Sequence, residues 1–389
     1  MTHCTIIGIS DSRKQWFTPE VLDVINSHNV FSGGKRHHEI MLPCLPEKHQ
    51  WIDITVPLSS VFNQYAKLDN IVIFASGDPL FYGFASTVMR ECPQCEINVF
   101  PAFNSLQTLA HRLKIAYQDM RCVSLTGRPW DKFDEALIRG EALIGCLTDH
   151  NKTPNEIWKH MTDYGYDNYR MFVGEKLGNS EEERVCMFND GTSYSTPNCI
   201  ILQQTHRRHI PFGLPDNLFE LLDGREKMIT KMPIRLATLA TLGLNDKNSF
   251  WDIGFCTGSI SIEAKLRFPH LNITAFEVRK EGKHLMESNS RKFGTPGINA
   301  VIGDFNYIDI SPIPAPDAVF IGGHGGKLAE MVAKVKSVLA ENGCIVFNSV
   351  SEESKNVFIK SAHDNGMSCE ICMVIKTNDN NPITILKAQ

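Results

Sequence analysis

The second half of the sequence alternates short apolar runs with helical stretches, and this alternation restricts the possible folds more than any other feature of the chain. Runs of strand length are SFWDIG, NITAFEV, NAVIG, DAVFIGG and CIVFNSV, and stretches such as EGKHLMESNSRKFG and KLAEMVAKVKSVL between them have helical periodicity. Strands that alternate with helices of ten or more residues predict a parallel, doubly wound sheet. CEICMVIK and ITILKA add two strands, so we expect about seven.

The first half carries an α/β pattern of its own, and a turn-rich joint separates the two halves. The joint, HIPFGLPDNLF at residues 209–219, contains two prolines and a glycine that interrupt the periodicity. A chain of 389 residues is long enough for two domains. We therefore predict a first domain over 1–205, a linker over 206–215 and a second domain over 216–389.

Charge and cysteine usage limit the possible functions. The net charge of -5 argues against non-specific electrostatic binding of nucleic acid, and no apolar run approaches the length of a membrane span. Without a secretion signal, the 12 cysteines favour reduced thiols, and we expect a cytoplasmic enzyme. Two CxxC pairs have zinc-like spacing, but the strand-like alternation of SCEICMVIK would separate its two thiols, so no metal site is expected.

The stretch FWDIGFCTGSISIEA, at residues 250–264, predicts a strand, a glycine turn and a helix, which is where open α/β sheets bind ligands. Gly254 and Gly258 allow close approach to a ligand. The dinucleotide fingerprint G-x-G-x-x-G is disfavoured, because Cys256 and Ser259 occupy its second and third glycine positions. Glu277, at the end of the next strand, could instead bind both hydroxyls of a ribose. The alternative is helix capping and turn chemistry alone.

The first half contains three motifs in order: ASGDPLFYG after a predicted strand, then PAFNSLQTLA, then SLTGRP. Asn104 or Ser105 is expected to cap a helix whose apolar face includes Leu106 and Leu109. Two basic stretches, GGKRHHE at 33–39 and THRRH at 205–209, could hold a polyanionic small molecule or be solvated loops.

The three motifs together resemble the tetrapyrrole methylase family, whose members bind S-adenosylmethionine between two α/β subdomains. The second half, with WDIGFCTGSISIEA, VIGDF and AVFIGGHGGKL, resembles the Rossmann-like decarboxylating methyltransferases of cobalamin biosynthesis. The fused order is similar to the bifunctional precorrin methyltransferases. The resemblance implies methylation of a corrin precursor at C-5 and C-15 with loss of the C-12 acetate carboxyl, and one S-adenosylmethionine per domain.

The resemblance also implies roles for particular residues. In the first domain the expected cofactor contacts are Gly77, Asp78, Pro79, Asn104, Ser105, Thr126 and Gly127. In the second they are Asp252, Gly254, Thr257, Gly258, Ser259, Glu277 and Asp304. Lys35, Arg36, His37 and Arg128 are expected to bind the carboxylates of the substrate. Asp304 and His324 are the catalytic candidates, although a histidine in a loop can equally be structural.

The chain departs from the family pattern in several places. The first loop reads GISDSRKQW instead of a Gly-Pro-Gly type, so the role of Ser10 or Asp11 is open. Thr126 stands where the family usually has a histidine, and GDFN replaces GDAP after the third strand of the second domain. Alternatives are a fusion whose second domain methylates RNA or another small molecule, and a non-catalytic adenosylmethionine sensor. A homo-oligomer is expected, without nucleic-acid or membrane partners.

Overall fold

The computed structural model describes residues 2–225, 228–376 and 382–389, and the chain divides into two compact units. The first unit consists of Met1–Arg128, Ala142–Trp158 and Tyr169–Thr205. The second unit consists of Pro129–Glu141, Lys159–Asn168 and His206–Gln389. Two short segments from the first half of the chain therefore group with the second unit. The boundaries predicted from the sequence, with a linker over 206–215 between the two domains, remain a prediction.

A parallel sheet forms the first half of the first unit. Its strands, in spatial order, are β3 (Gln50–Asp53), β2 (Val30–Gly33), β4 (Asn70–Ser76), β1 (His3–Ile9) and β5 (Glu96–Phe100). The helices in this region are α1 (Pro19–Ser27), α2 (Lys35–Met41), α3 (Leu58–Tyr65) and α4 (Phe84–Glu91). The central strand β4 is a nearly continuous apolar run with Ile71 to Phe74 fully buried, as expected for a parallel strand covered on both faces.

A second, mixed sheet completes the first unit. Its strands, in spatial order, are β6 (Arg121–Ser124), β7 (Leu143–Leu147), β10 (Asn198–Gln204), β8 (Tyr169–Glu175) and β9 (Arg184–Met187). Only the β6–β7 pair is parallel among these neighbours. Helix α5 (Ser105–Leu113) packs on this sheet through Leu106, Leu109 and Ala110, which are fully buried, as its periodicity predicted.

The second unit contains the predicted seven-stranded sheet. Its strands, in spatial order, are β13 (Ile298–Ile302), β12 (Asn272–Glu277), β11 (Ser249–Ile253), β14 (Ala318–Ile321), β15 (Cys344–Ser349), β17 (Ile383–Ala388) and β16 (Cys369–Ile375). The first five run parallel, and β17 is antiparallel to both of its neighbours. The α/β fold class predicted from the sequence is confirmed.

The second unit also contains helices, and the chain reverses direction beside β11. The helices are α6 (Asp131–Arg139), α7 (Pro154–Asp163, whose second half lies in this unit), α8 (Met232–Leu242), α9 (Ser259–Arg267), α10 (Glu281–Phe293), α11 (Leu328–Lys336) and α12 (Glu352–Asp364). The chain first builds β11, β12 and β13 outward and then returns to place β14 on the other side of β11. Such a switch point opens a crevice at the carboxyl ends of the strands. Among the described helices, none has the length and apolar character that crossing a bilayer requires.

Candidate active sites

A cavity of about 500 Å³ opens at the carboxyl ends of β1, β2 and β4 in the first unit. Its size is in the range of pockets that hold a cofactor. The predicted residues that line it are Arg36, His37, Gly77, Asn104, Ser105 and Thr126. The predicted residues Lys35, Asp78, Pro79, Gly127 and Arg128 lie outside its lining. The structure thus brings together about half of the set predicted for this unit.

The Ser-Gly-Asp-Pro turn after β4 shapes one wall of this cavity. Gly77 has a φ of +62°, and a Cβ there would lie 2.8 Å from Cα of Asn104, so only glycine allows this approach. The carboxylate of Asp78 accepts a hydrogen bond from the backbone N–H of Leu80 at 2.9 Å. The aspartate therefore folds the turn, while the glycine brings its backbone against the start of α5.

Asn104, one of the two residues expected to cap this helix, is the N-cap of α5. Its Oδ1 accepts from the N–H of Gln107 at 2.9 Å, and the Gln107 side chain accepts from the N–H of Asn104 at 3.0 Å. This reciprocal pair satisfies two helix-end donors. Because the cap occupies the Asn104 side-chain oxygen, Ser105 and the backbone of this turn are better placed to meet a ligand in the cavity.

Two basic residues of α2, Arg36 and His37, carry different charges at neutral pH. The Arg36 guanidinium lies 3.2 Å from the carboxylate of Asp11 and donates to the Ser76 hydroxyl at 3.0 Å. Nε2 of His37 lies 2.8 Å from the same hydroxyl. Burial, together with the neighbouring Arg36 charge, lowers the pKa of His37 to about 4. At neutral pH His37 is therefore a neutral hydrogen-bonding group, and Arg36 is the cation of this pair.

The Thr-Gly-Arg turn after β6 is fixed by its own hydrogen bonds. The Thr126 hydroxyl donates to the carbonyl of Thr148 at 2.9 Å, and the N–H of Gly127 donates to Asp149 at the same distance. The Arg128 guanidinium donates to the Ser124 hydroxyl at 3.0 Å and lies 5.2 Å from the ring centroid of Tyr82. Arg128 is exposed, so it keeps donors for a substrate carboxylate.

Sequence reasoning missed several residues of this cavity. Ser76, Tyr82, Thr148 and Asn198 all line it. Ser76 precedes the glycine turn and could have been chosen with it. Thr148 follows β7 and Asn198 begins β10, and the place of these strands beside the cavity depends on the order of the second sheet, which the sequence does not reveal.

In the second unit, two glycines of the turn between β11 and α9 have positive φ values, and each lies close to neighbouring atoms. Gly254 has a φ of +80°, and a Cβ there would lie 2.6 Å from the backbone nitrogen of Gly323. Gly258 has a φ of +76°, and a Cβ there would lie 2.6 Å from the sulfur of Met286. The turn therefore runs against the loop that follows β14, as a backbone cradle at the switch point.

Asp252, on β11, is completely buried beneath this cradle. Its Oδ2 accepts from the hydroxyl of Ser261 at 2.6 Å and from the Ser261 N–H at 3.2 Å. Burial raises the pKa of Asp252 to about 7, although the Ser261 bonds oppose the shift. Within the described residues, Asp252 Oδ1 and the buried hydroxyl of Thr257 have no hydrogen-bond partner. Because buried polar atoms are normally paired, these two atoms are candidates for ligand contacts.

Glu277, at the end of β12, holds the adjacent turn. One carboxylate oxygen accepts from the N–H of Cys256 at 2.9 Å, and the other accepts from the N–H of Arg279 at 3.0 Å and its guanidinium at 3.2 Å. The Glu277 side chain is 2% exposed, whereas that of Arg279 is 45% exposed. A carboxylate has about four acceptor sites. The Arg279 side chain can swing into solvent and leave two of them to a ligand.

Asp304 and His324 lie on neighbouring loops at the same edge. Asp304 accepts from the Lys327 ammonium at 2.7 Å and from the N–H of Asn306 at 3.1 Å, and these bonds lower its pKa. The His324 ring accepts from the N–H of Gly326 at 3.2 Å. Asp304 is therefore ionised at neutral pH, and the bond to Gly326 leaves Nε2 as the second hydrogen-bonding atom of His324.

The remaining predicted residues of this turn, Thr257 and Ser259, are buried at the start of α9. Sequence reasoning missed Ser261, Gly323 and Lys327. Ser261 lies within the quoted motif and could have been paired with Asp252. The other two reach the site only because β14 lies beside β11. No cluster of three or more metal-ligating side chains occurs in the described ranges.

Comparisons with known proteins agree with this two-part architecture. A family described as tetrapyrrole (corrin/porphyrin) methylases matches residues 3–187, and one described as precorrin methyltransferase domain matches residues 222–385. The chain is 32% identical to a precorrin-6Y C(5,15)-methyltransferase [decarboxylating] of Sinorhizobium sp, over 91% of this chain and 86% of the relative.

Two proteins of Salmonella typhimurium match smaller parts of the chain. A cobalt-precorrin-6B C(15)-methyltransferase (decarboxylating) is 32% identical over 36% of this chain and 71% of its own length. A cobalt-precorrin-7 C(5)-methyltransferase is 28% identical over 46% of this chain and 88% of its own length. In that organism, proteins with the two names are separate chains.

Proposed function

The chain belongs to the family of decarboxylating precorrin-6Y C(5,15)-methyltransferases, and from this we propose that its two units divide the reaction between them. It is an S-adenosylmethionine-dependent enzyme of cobalamin biosynthesis whose substrate is a precorrin. In our proposal the first unit methylates C-5, and the second methylates C-15 and removes the C-12 acetate carboxyl. The homo-oligomeric state and the cytoplasmic location remain expectations from the sequence.

One observation carries the proposal: each unit has its own glycine-lined site at the carboxyl ends of parallel strands. In the first unit this is the cavity beside Gly77, and in the second it is the cradle of Gly254 and Gly258. We propose one S-adenosylmethionine in each. The two matched families, over 3–187 and 222–385, support this division because each covers one of the two sites.

In the second unit, the residues fit the charge pattern of this cofactor. The unpaired Oδ1 of Asp252 and hydroxyl of Thr257 are suited to the polar methionine end, and Glu277 is suited to the ribose hydroxyls. Asp304, ionised beside Lys327, is suited to the adenine amino group. Bound S-adenosylmethionine supplies an electrophilic methyl group. The protein then has to orient a carbon of the macrocycle toward that group and exclude water.

Orientation is the main contribution that these residues make. Holding two reactants in near-attack geometry can supply about 7–11 kcal/mol of the barrier. In the first unit, Arg36 is a fixed cation at the cavity and Arg128 an exposed one nearby, and both are suited to side-chain carboxylates of the substrate. His37, neutral at pH 7, is suited to donate or accept a hydrogen bond beside them.

Calorimetric titration with S-adenosylhomocysteine tests the stoichiometry. We expect two sites in the wild-type chain and one in each of two variants, Gly77→Ala and Gly254→Ala, because each added Cβ would collide with backbone atoms. Product masses should then separate the reactions: the first variant keeps decarboxylating methylation, and the second keeps simple methylation.

Thermal unfolding of each variant shows whether the other unit remains folded. Saturation of the folded wild-type chain at one site would refute the assignment of one cofactor to each unit. Loss of both reactions in a folded single variant would refute the division of labour.

A further inference from the structure

Tyr307 is the most exposed large hydrophobic residue among the described residues that follow the strands of the seven-stranded sheet. It follows β13 and Asp304 and is 81% exposed. Two other apolar residues follow strands of the same parallel set: Val278 after β12 is 61% exposed, and Val350 after β15 is 65% exposed. Because the carboxyl ends of parallel strands lie at one edge of the sheet, these exposed apolar residues are on the edge at which the cofactor site opens, and Tyr307 and Val278 follow adjacent strands.

The turn that carries Tyr307 is firmly anchored. Phe305 is 3% exposed and packs edge-on against Trp251 and Phe276, with ring centroids 6.1 and 5.0 Å away. The Lys334 ammonium donates to the carbonyls of Phe305, Asn306 and Ile308 at 2.6–3.1 Å. The exposure of Tyr307 is therefore a fixed feature of the turn, since the residues on both sides of it are held.

Lys327 reaches the same place from the loop after β14. Its ammonium lies 4.8 Å from the centroid of the Tyr307 ring and 2.7 Å from Asp304, and its side chain is 40% exposed. An ammonium has three donors, so it keeps hydrogen-bonding capacity beyond Asp304. The loop before it is open, because a Cβ on Gly325 or Gly326 would meet no atom within 4 Å. A ligand can thus approach the ammonium and the ring together.

We propose that Tyr307 and Lys327 form the macrocycle-binding point of the second unit. In this arrangement the Tyr307 ring packs against the apolar face of the tetrapyrrole, and Lys327 binds one of its side-chain carboxylates. This inference rests on the proposed function, because it takes a precorrin as the substrate of this unit. A planar apolar ligand with anionic side chains matches an exposed aromatic ring beside a partly free ammonium.

The competing explanation is that Lys327 serves only Asp304 and the cofactor, and that Tyr307 only covers Lys327. The two explanations predict different kinetic constants. A binding point for the macrocycle affects the KM for the corrin substrate, whereas support of Asp304 affects the KM for S-adenosylmethionine.

Initial rates of decarboxylating methylation, with metal-free and cobalt-bearing precorrin-6B, test the proposal in the full chain. We expect Lys327→Met and Tyr307→Ala each to raise the KM for the corrin at least tenfold while changing the KM for S-adenosylmethionine less than threefold. Lys327→Arg should keep the KM for the corrin close to that of the wild type, since arginine keeps the positive charge. Lys247→Met is the matched control, because Lys247 precedes β11 at the opposite edge and donates to the Asn342 carbonyl.

A normal KM for the corrin in both variants, in an active enzyme, would overturn the proposal. A rise in the KM for S-adenosylmethionine alone would overturn it as well, in favour of the cofactor explanation. If the folded wild-type chain converts neither form of the substrate, the proposed function itself fails, and that outcome is separate from a failure of the variants.

Discussion

Replacing Glu277 by glutamine tests whether this buried carboxylate holds the cofactor or only its own turn. The carboxylate accepts three hydrogen bonds from Cys256 and Arg279 and is almost inaccessible to solvent. Removing the side chain entirely would therefore disrupt the turn in either case. The amide of Glu277→Gln keeps the shape and one acceptor oxygen, so it is the more informative change.

The magnitude follows from the contacts. A hydrogen bond to a charged group contributes about 1.5–3 kcal/mol, and the amide nitrogen must face one of the backbone donors that the carboxylate now satisfies. We expect the free energy of unfolding of the second unit to fall by about 2 kcal/mol. If ribose hydroxyls also donate to this carboxylate, the loss of one such bond should weaken cofactor binding about 10- to 100-fold.

Calorimetric titration with S-adenosylhomocysteine measures the second effect, and chemical unfolding measures the first. The site in the first unit should be unchanged, which provides an internal reference. Glu341→Gln is the matched control, because this exposed glutamate precedes β15 at the opposite edge of the sheet and loses the same charge.

One result would refute the reasoning. If Glu277→Gln lowers the stability of the folded chain but weakens S-adenosylhomocysteine binding less than threefold at both sites, the carboxylate organises the turn and does not contact the ribose. Equal weakening at both sites would contradict the independence of the two sites.

Two further predictions concern pH. Burial raises the pKa of Asp252 to about 7, so between about pH 4 and pH 7 the folded state holds a proton that the unfolded state has lost. The free energy of unfolding of the wild type, relative to that of Asp252→Asn, should therefore fall as pH rises through this range, by up to about 1.4 kcal/mol per pH unit. A difference that stays constant across this range, measured by urea unfolding, would contradict a protonated Asp252. Burial and Arg36 lower the pKa of His37 to about 4, so the wild type should lose stability relative to His37→Asn as pH falls from about 6.5 to about 4. Parallel unfolding curves for the two proteins over that range would show that His37 is not buried in its neutral form.

Local patterns predicted the sheet of the second unit and the cap of α5 because both depend on short stretches of sequence. The seven strands follow from alternating apolar runs, and a cap at Asn104 or Ser105 follows from their position directly before the apolar face of α5, although only the structure shows that Asn104 is the one that caps. The pairing of Asp304 with Lys327 was not predictable in the same way. These residues are 23 positions apart, and they meet only because the loops after β13 and β14 converge.

Tertiary grouping was equally hidden from the sequence. Segments Pro129–Glu141 and Lys159–Asn168 belong in sequence to the first half, yet they group with the second unit. Within that unit the hydroxyl of Tyr166 donates to the carbonyl of Gly294 at 2.7 Å. The buried carboxylate of Asp134 lies 2.6 Å from Nε2 of His160. Helical periodicity predicts that a helix has a buried face, but it does not identify the surface that buries it.

The acidic strand-end residues of the second unit show why structural and functional explanations of a motif need not exclude each other. Asp252 holds the start of α9 through Ser261, Glu277 holds the glycine turn through Cys256, and Asp304 holds its own turn through Asn306. Each carboxylate thus fixes backbone around the site with some of its acceptor positions. The three residues lie at the carboxyl ends of three adjacent parallel strands, so the residues that shape the cradle are also those equipped to bind the polar groups of a cofactor at that edge.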